Sequence, residues 1–160
     1  MRKSSELIDK MKGGLIVSCQ VQKDDPIYTD DIVVVMAKAA KWAGAVGIRA
    51  NSPKQIKAIK AQVDLPLIGL YKIWDEHSDV FITPTLQAAA QVIEAGADIL
   101  ALDCTFQINH EGRRAIELLP EVKKAFPDIL IFADVSNIEE AKEAVRLGAD
   151  IVAPAWIPLR

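Results

Sequence analysis

The chain has 160 residues, about half of them hydrophobic, with 26% charged, 6% aromatic and a formal net charge of −3. That is one domain's worth of ordinary globular chain. It excludes a disordered polypeptide and a domain-wide basic field, so neither nucleic acid nor an anionic membrane surface is an expected partner. No apolar run approaches the roughly eighteen residues of a membrane span, and residues 1–11 are too broken by charge to form the core of a signal peptide. Two cysteines are too few for a disulfide scaffold or a cysteine-rich zinc site. Cys19 and Cys104 both sit in apolar runs and read as buried, reduced thiols of a cytoplasmic protein.

In chain order, six short apolar runs recur at residues 14–19, 45–48, 67–70, 98–102, 129–133 and 151–153. Their unbroken apolarity suits a parallel sheet covered on both faces. Between them lie stripes at helical spacing. These are Ile32, Val35, Met36, Ala39 and Ala40; Ile56, Ile59 and Val63; Leu86, Ala89, Ala90 and Ile93; Ile116, Leu119, Val122 and Phe126; and Ile138, Ala141, Ala144 and Val145. Ser52-Pro53 reads as a helix cap with proline in the first turn. Ser136 to Glu139 has the spacing of a capping box. Gly44, Gly96 and Gly148 stand where helix C-termini belong.

Those glycines head a repeated text: AGAVGI at 43–48, AGADIL at 95–100 and LGADIV at 147–152. With a βα unit of about 26 residues, the repeat is two units long, as a (β/α) barrel would show, although open α/β sheets alternate too. No Gly-x-Gly-x-x-Gly follows the first strand, so a dinucleotide-binding sheet has no positive support. Residues 72–85 read as a long loop with a short β excursion.

Chemistry in a (β/α) barrel sits at the C-terminal strand ends. Read in order, those ends present Gln20, Arg49, Lys72, Asp103 and Asp134, and the sixth leads into Pro154, Ala155 and Trp156. One charge after an apolar strand commonly just meets water. Five polar groups in succession favour a shared rim for a small polar or anionic ligand, where burial would lower a lysine's pKa for proton transfer. His77 and His110 lie in polar loops without metal-ligand company and read as exposed. Trp42 reads as helix packing. Tyr71 and Trp74 flank Lys72, and wall the pocket or pack in a core or oligomer contact. Residues 111–114 open a helix with a solvated face. Ser18 and Cys19 have no histidine partner that would mark a nucleophile.

The segments GGLIVSCQ (13–20), GAVGIRAN (44–51), LPLIGLYK (65–72), ITPT (82–85), ADILALDCT (97–105) and FADVS (132–136) resemble the N-acetylmannosamine-6-phosphate 2-epimerase family over roughly residues 6–153. The resemblance implies a TIM-type barrel like those that bind ribulose phosphate. It also implies interconversion of N-acetylmannosamine 6-phosphate and N-acetylglucosamine 6-phosphate, by proton removal and return at C2, in sialic acid and amino-sugar catabolism. No cofactor or metal is implied. Lys72 takes the family's catalytic lysine; Gln20, Arg49 and Asp134 take its substrate-binding positions. No family role falls on Asp103.

The resemblance stops near Ala153, whereas family members continue through two further strands bearing a second catalytic group, a glutamate, and glycine-rich phosphate loops. The expected architecture is therefore a single partial TIM-barrel domain over 1–160 with about six strands. A complete barrel takes about 200 residues or more. Unpaired apolar edges predict a homo-oligomer joined through them. An epimerase is the first expectation. The alternatives are an inactive remnant that only binds sugar phosphate and a truncated fragment that self-associates.

Overall fold

The computed structural model describes residues 3–22, 24–29, 31–109 and 111–154. Strands β1 (Ile16–Cys19), β2 (Gly47–Asn51), β3 (Leu67–Leu70), β4 (Ile99–Asp103), β5 (Leu130–Val135) and β6 (Ile151–Pro154) form one parallel sheet in the order β1-β2-β3-β4-β5-β6. An order that never reverses is that of a barrel wall, because each right-handed crossover moves the chain one place the same way. A doubly wound sheet would reverse at a switch point.

Helices α2 (Ile32–Trp42), α3 (Pro53–Lys60), α4 (Leu86–Glu94), α5 (Leu118–Ala125) and α6 (Ile138–Leu147) fill the crossovers, with a 3-10 turn over Ala115–Glu117 leading into α5. Residues alternate between the faces of each strand. Ile48, Leu67, Leu100, Leu102 and Ile131 pack outward in the cluster that contains the crossover helices. Ile68, Leu70, Ile99, Ala101, Leu130 and Phe132 form a second cluster on the inner face. Each fully buried Leu or Ile in these layers contributes on the order of 1.5–3 kcal/mol.

Helix α1 (Lys3–Met11), absent from the expected elements, packs Leu7, Ile8 and Met11 against that inner cluster. Their spacing, i, i+1 and i+4, is a short amphipathic stripe that the surrounding charges obscured.

The repeated glycines follow helix ends with φ of 91° at Gly44, 99° at Gly96 and 105° at Gly148, a region where side chains with a Cβ are strained. The repeat's aspartates do matching work. Asp98 Oδ2 accepts from the Leu67 N–H at 2.8 Å and from Lys60 Nζ at 2.9 Å. Asp150 Oδ2 accepts from the Ile131 N–H at 2.8 Å and from Lys123 Nζ at 2.7 Å. Each carboxylate ties the opening of the preceding strand to the helix before that strand. In the first copy Val46 stands in the aspartate's place, and only the backbone bond to the Leu15 carbonyl remains.

Several expectations need correction. The buried side of α2 is Val33, Val34, Ala37 and Ala40, and Val35 faces solvent. Trp42 is 91% exposed rather than packed against the described residues. In α4 the buried set is Ala88, Ala89 and Val92. In α6, Ile138 and Val145 are exposed while Ala144 and the carboxylate residue Glu140 are buried. On α3 and α5 the expected stripes are the buried ones, Ile56 and Ile59 and then Leu119 and Val122, whereas on α2, α4 and α6 the sheet contact selects a neighbouring face.

The box on α6 is also shifted by one residue. Asn137 is the cap, its Oδ1 accepting from the Glu140 N–H at 2.9 Å. Glu140 in turn accepts from the N–H and hydroxyl of Ser136, both at 2.7 Å, and from the Phe106 N–H at 2.9 Å. Ser52 caps α3 by position, with Pro53 following, but its hydroxyl makes no capping bond. Residues 72–85 fold back as expected, with antiparallel bridges Lys72–Ile82 and Asp75–Ser78 and stacked rings of Trp74 and Phe81 at 4.3 Å. No helix among the described residues is long and apolar enough to cross a membrane. His110, Ala155, Trp156 and Pro158 lie outside the described residues.

Candidate active site

Strand parity decides which polar groups meet. Ile16, Ile68, Ile99 and Leu130 all belong to the inner cluster. Four residues further along the same strands stand Gln20, Lys72, Asp103 and Asp134, two full pleats on and hence on the same side. Arg49 on β2 alternates with the outward-packed Ile48 and Ala50. All five rim residues read from the sequence therefore belong to one face and one end of the sheet.

Arg49 and Asp134, 85 residues apart in sequence, form a two-pronged pair, Nη1 to Oδ1 at 2.8 Å and Nη2 to Oδ2 at 2.6 Å. The Asp134 side chain is 3% exposed and that of Arg49 19%. The guanidinium also sits 5.2 Å from the centre of the Phe132 ring. Planar, bidentate pairing of this kind fixes orientation more firmly than a lysine would. Removing either partner would leave a charge in a poorly hydrated place.

Lys72 lies beside this pair. Burial pushes its pKa down, the Arg49 charge pushes it further the same way, and Asp134 pulls in the opposite sense. Among the described residues its ammonium has no ion-pair partner. A partly desolvated amine, kept from a carboxylate by an arginine that already occupies it, has a larger neutral fraction than an exposed lysine. Such an amine is suited to taking a proton. The lysine's backbone N–H donates to Asn51 Oδ1 at 2.8 Å.

Asp103 and Asp134 are direct neighbours across the β4–β5 ladder. Asp103 is buried, and its Oδ1 accepts from the Thr105 N–H at 3.1 Å and hydroxyl at 2.7 Å. Burial raises its pKa to about 6, against the opposing Thr105 hydrogen bonds and with help from the charges of Asp134 and Glu140. Gln20 donates from Nε2 to the Ser18 hydroxyl at 2.8 Å, while its Oε1 is buried without a partner among the described residues.

The two cysteines are buried, and burial raises the thiol pKa of both, which disfavours the thiolate a nucleophile needs. His77 is exposed, as expected. Among the described residues no group of three or more His, Cys, Asp or Glu is placed to hold a metal ion. A cavity of about 730 Å³ lies elsewhere, in the outer layer between α5 and α6, with the Arg113–Glu121 and Arg146–Glu143 pairs on its walls. A smaller one of about 280 Å³ adjoins the rim beside Thr83, Thr85, Asp103 and Arg114. Sequence reading passed over two residues that touch the Lys72 segment, Asn51 and Thr83. Both stand in segments that carry the family resemblance, at 44–51 and 82–85, but nothing local in the sequence marks a polar residue before Ser-Pro or before Pro as a partner of a distant backbone amide.

Residues 33–156 match the family described as "Putative N-acetylmannosamine-6-phosphate epimerase". A relative from Listeria welshimeri, described as a 2-epimerase of the same name, is 46% identical over 144 residues, covering 90% of this chain and 61% of its own. One from Caldanaerobacter subterraneus is 45% identical over 148 residues, covering 92% and 62%. The solved N-acetylmannosamine-6-phosphate 2-epimerase of Clostridium perfringens superposes with a TM-score of 0.83 at 35% identity, over 91% of this chain and 63% of that one. The chain thus spans about three fifths of the length of the curated relatives it matches. By sequence over most of its length and by the barrel order of its strands, the chain belongs to the N-acetylmannosamine-6-phosphate epimerase family.

Proposed function

We propose that this rim acts in the 2-epimerisation of N-acetylmannosamine 6-phosphate to N-acetylglucosamine 6-phosphate. The observation that carries the reading is the desolvated Lys72 amine held on the same face as the Arg49–Asp134 pair, in a chain of this family. In the open-chain sugar, the C2 hydrogen lies next to the C1 aldehyde and is acidic for that reason. Lys72 Nζ, neutral, takes the C2 proton. The C–H electron pair moves into the carbonyl as an enolate, and a second acid returns a proton to C2 from the opposite face. No atom is gained or lost.

Arg49 serves as the donor nearest the developing oxygen charge, and Asp134 holds the guanidinium in plane for it. Gln20 Oε1 takes a hydroxyl or the acetamido N–H of the sugar. The same reading sets the protein in the cytoplasm, in amino-sugar and sialic acid catabolism. It also joins copies along the outer edges of β1 and β6, each of which has a single ladder partner among the described strands. A strictly monomeric mass at micromolar concentration argues against that association.

The test follows N-acetylmannosamine 6-phosphate in D₂O by NMR, with wild type and Lys72→Ala side by side. Loss of the C2 proton signal with growth of the gluco epimer, reduced on the order of 10²–10⁴-fold in Lys72→Ala, supports the reading. Exchange at C2 without epimerisation supports Lys72 as the base and shows that the opposed acid is missing. An equal rate in the variant removes Lys72 from the chemistry. No exchange in either protein, with thermal protection by the sugar phosphate, would make the chain a binder only.

A further inference from the structure

The backbone around Lys72 is held in an unusual way. Strand β3 ends at Leu70, whose ladder neighbour is Asn51, the last residue of β2. There β2 turns away through Ser52 into Pro53. A strand that loses its neighbour ordinarily frays, yet the next three residues are all bonded. The Tyr71 N–H donates to Thr83 Oγ1 at 3.0 Å, and the Tyr71 carbonyl accepts from the Thr83 N–H at 2.9 Å. The Lys72 N–H donates to Asn51 Oδ1 at 2.8 Å. The Ile73 N–H donates to the Phe81 carbonyl at 3.0 Å. Two of the three donors are thus received by side chains, one from each flank.

Both flanks are strained. Among the described residues two non-glycines have positive φ: Thr83 at 49° and Ser52, directly after Asn51, at 69°. For a β-branched residue this is an outlier, and such strain persists only where the surroundings over-determine it. Here the two outliers lie on either side of the same dipeptide. Thr83 is also fully buried, so its hydroxyl has no duty toward solvent.

We propose that Asn51 and Thr83 are positioning residues for Lys72, their side chains, together with the antiparallel Lys72–Ile82 bridge, extending the pleat of β3 two residues past its last parallel ladder partner. The extension keeps Lys72 on the face of Ile68 and Leu70, beside Arg49 and Asp134. A change of one pleat would swing the amine to the opposite face. The proposal rests on Lys72 being the reacting group, and on no further assumption about the substrate.

The experiment measures the rate at which acetic anhydride acylates Lys72 as a function of pH, by peptide mapping and normalised to the exposed Lys124. The proteins are wild type, Asn51→Ala, Thr83→Val and Thr83→Ser. The wild-type midpoint is expected below the ordinary lysine range, in keeping with the direction of the Lys72 shift. Thr83→Val, which keeps the shape and removes the oxygen, and Asn51→Ala should raise the midpoint by about one unit. That corresponds to a fall of about tenfold in relative rate at mildly alkaline pH. Thr83→Ser should retain the wild-type profile.

A merely structural role lowers the melting temperature and leaves the Lys72 profile in place, and that result in cooperatively melting variants overturns the proposal. If Asn51→Ala loses its cooperative melt, the Thr83 pair decides. A wild-type measurement stands apart from any variant: slow hydrogen exchange at the Tyr71 and Lys72 amides is required, and loop-like exchange overturns the clamp. None of these readouts needs turnover. A chain that does not epimerise but shows the shift keeps the clamp and loses the proposed function; epimerisation with unshifted profiles does the reverse.

Discussion

Replacing Asp103 with asparagine should make the protein more stable, and only on one side of a defined pH window. The carboxyl is buried against the β4–β5 ladder, directly opposite Asp134. Its pKa rises from 3.8 to about 6, chiefly through desolvation. Between those values the unfolded chain releases a proton that the folded chain retains, so stability falls as pH rises through the window and is level above it. Two pKa units at about 1.4 kcal/mol each place the penalty on the order of 3 kcal/mol at pH 8.

Asparagine carries no charge and keeps an Oδ1 to receive the Thr105 N–H and hydroxyl. Asp103→Asn should therefore gain about 1–3 kcal/mol at pH 8, shrinking through pH 6 to nothing near pH 4. Urea titrations at fixed ionic strength measure this directly. With a slope of about 2 kcal/mol per molar for a chain of this size, the midpoint moves by roughly 1 M at pH 8. A stability difference that is constant across the range would refute the assignment of a buried, reluctant charge.

Glu140 should behave in the opposite sense. Burial raises its pKa, but the Phe106 and Ser136 hydrogen bonds, with Asn137, outweigh it and hold the group below the ordinary carboxylate value. Its contribution is present above the unfolded pKa and lost as pH falls through the lower folded value. Glu140→Gln is expected to cost about 1–3 kcal/mol at pH 7, and denaturation curves should converge as the pH drops below about 4. At Gly69 on β3, an added Cβ would stand 2.7 Å from Ala97 Cβ and 2.8 Å from Val92 Cγ1, so Gly69→Val must push the sheet from α4. A loss of at least about 1–3 kcal/mol is expected in thermal or urea melts, and an unchanged midpoint would contradict this packing.

Much of this protein is legible one residue at a time. The apolar runs, the glycines that end helices and the repeated text lead to a wall of parallel strands. Period-two parity then places Gln20, Lys72, Asp103 and Asp134 on one side without any knowledge of their distances, because alternation along a strand is a local property of the backbone. The repeat's aspartates were visible as letters, but their bonds to Leu67 and Ile131 were not, since those partners lie a helix away. Helix faces were less legible. Val35 and Val145 fit an apolar stripe as well as their buried neighbours do, and the choice belongs to the angle at which each helix meets the sheet.

What only the tertiary structure decided is which groups meet. The pairing of Arg49 with Asp134 joins β2 to β5, and among the described residues it leaves Lys72 without a carboxylate of its own. The capture of the Tyr71 and Lys72 amides by Thr83 and Asn51 likewise joins residues 12 and 21 positions apart. Sequence sets the direction of each side chain relative to its own strand. Distances between strands, and with them desolvation and charge, come into being only when the sheet assembles.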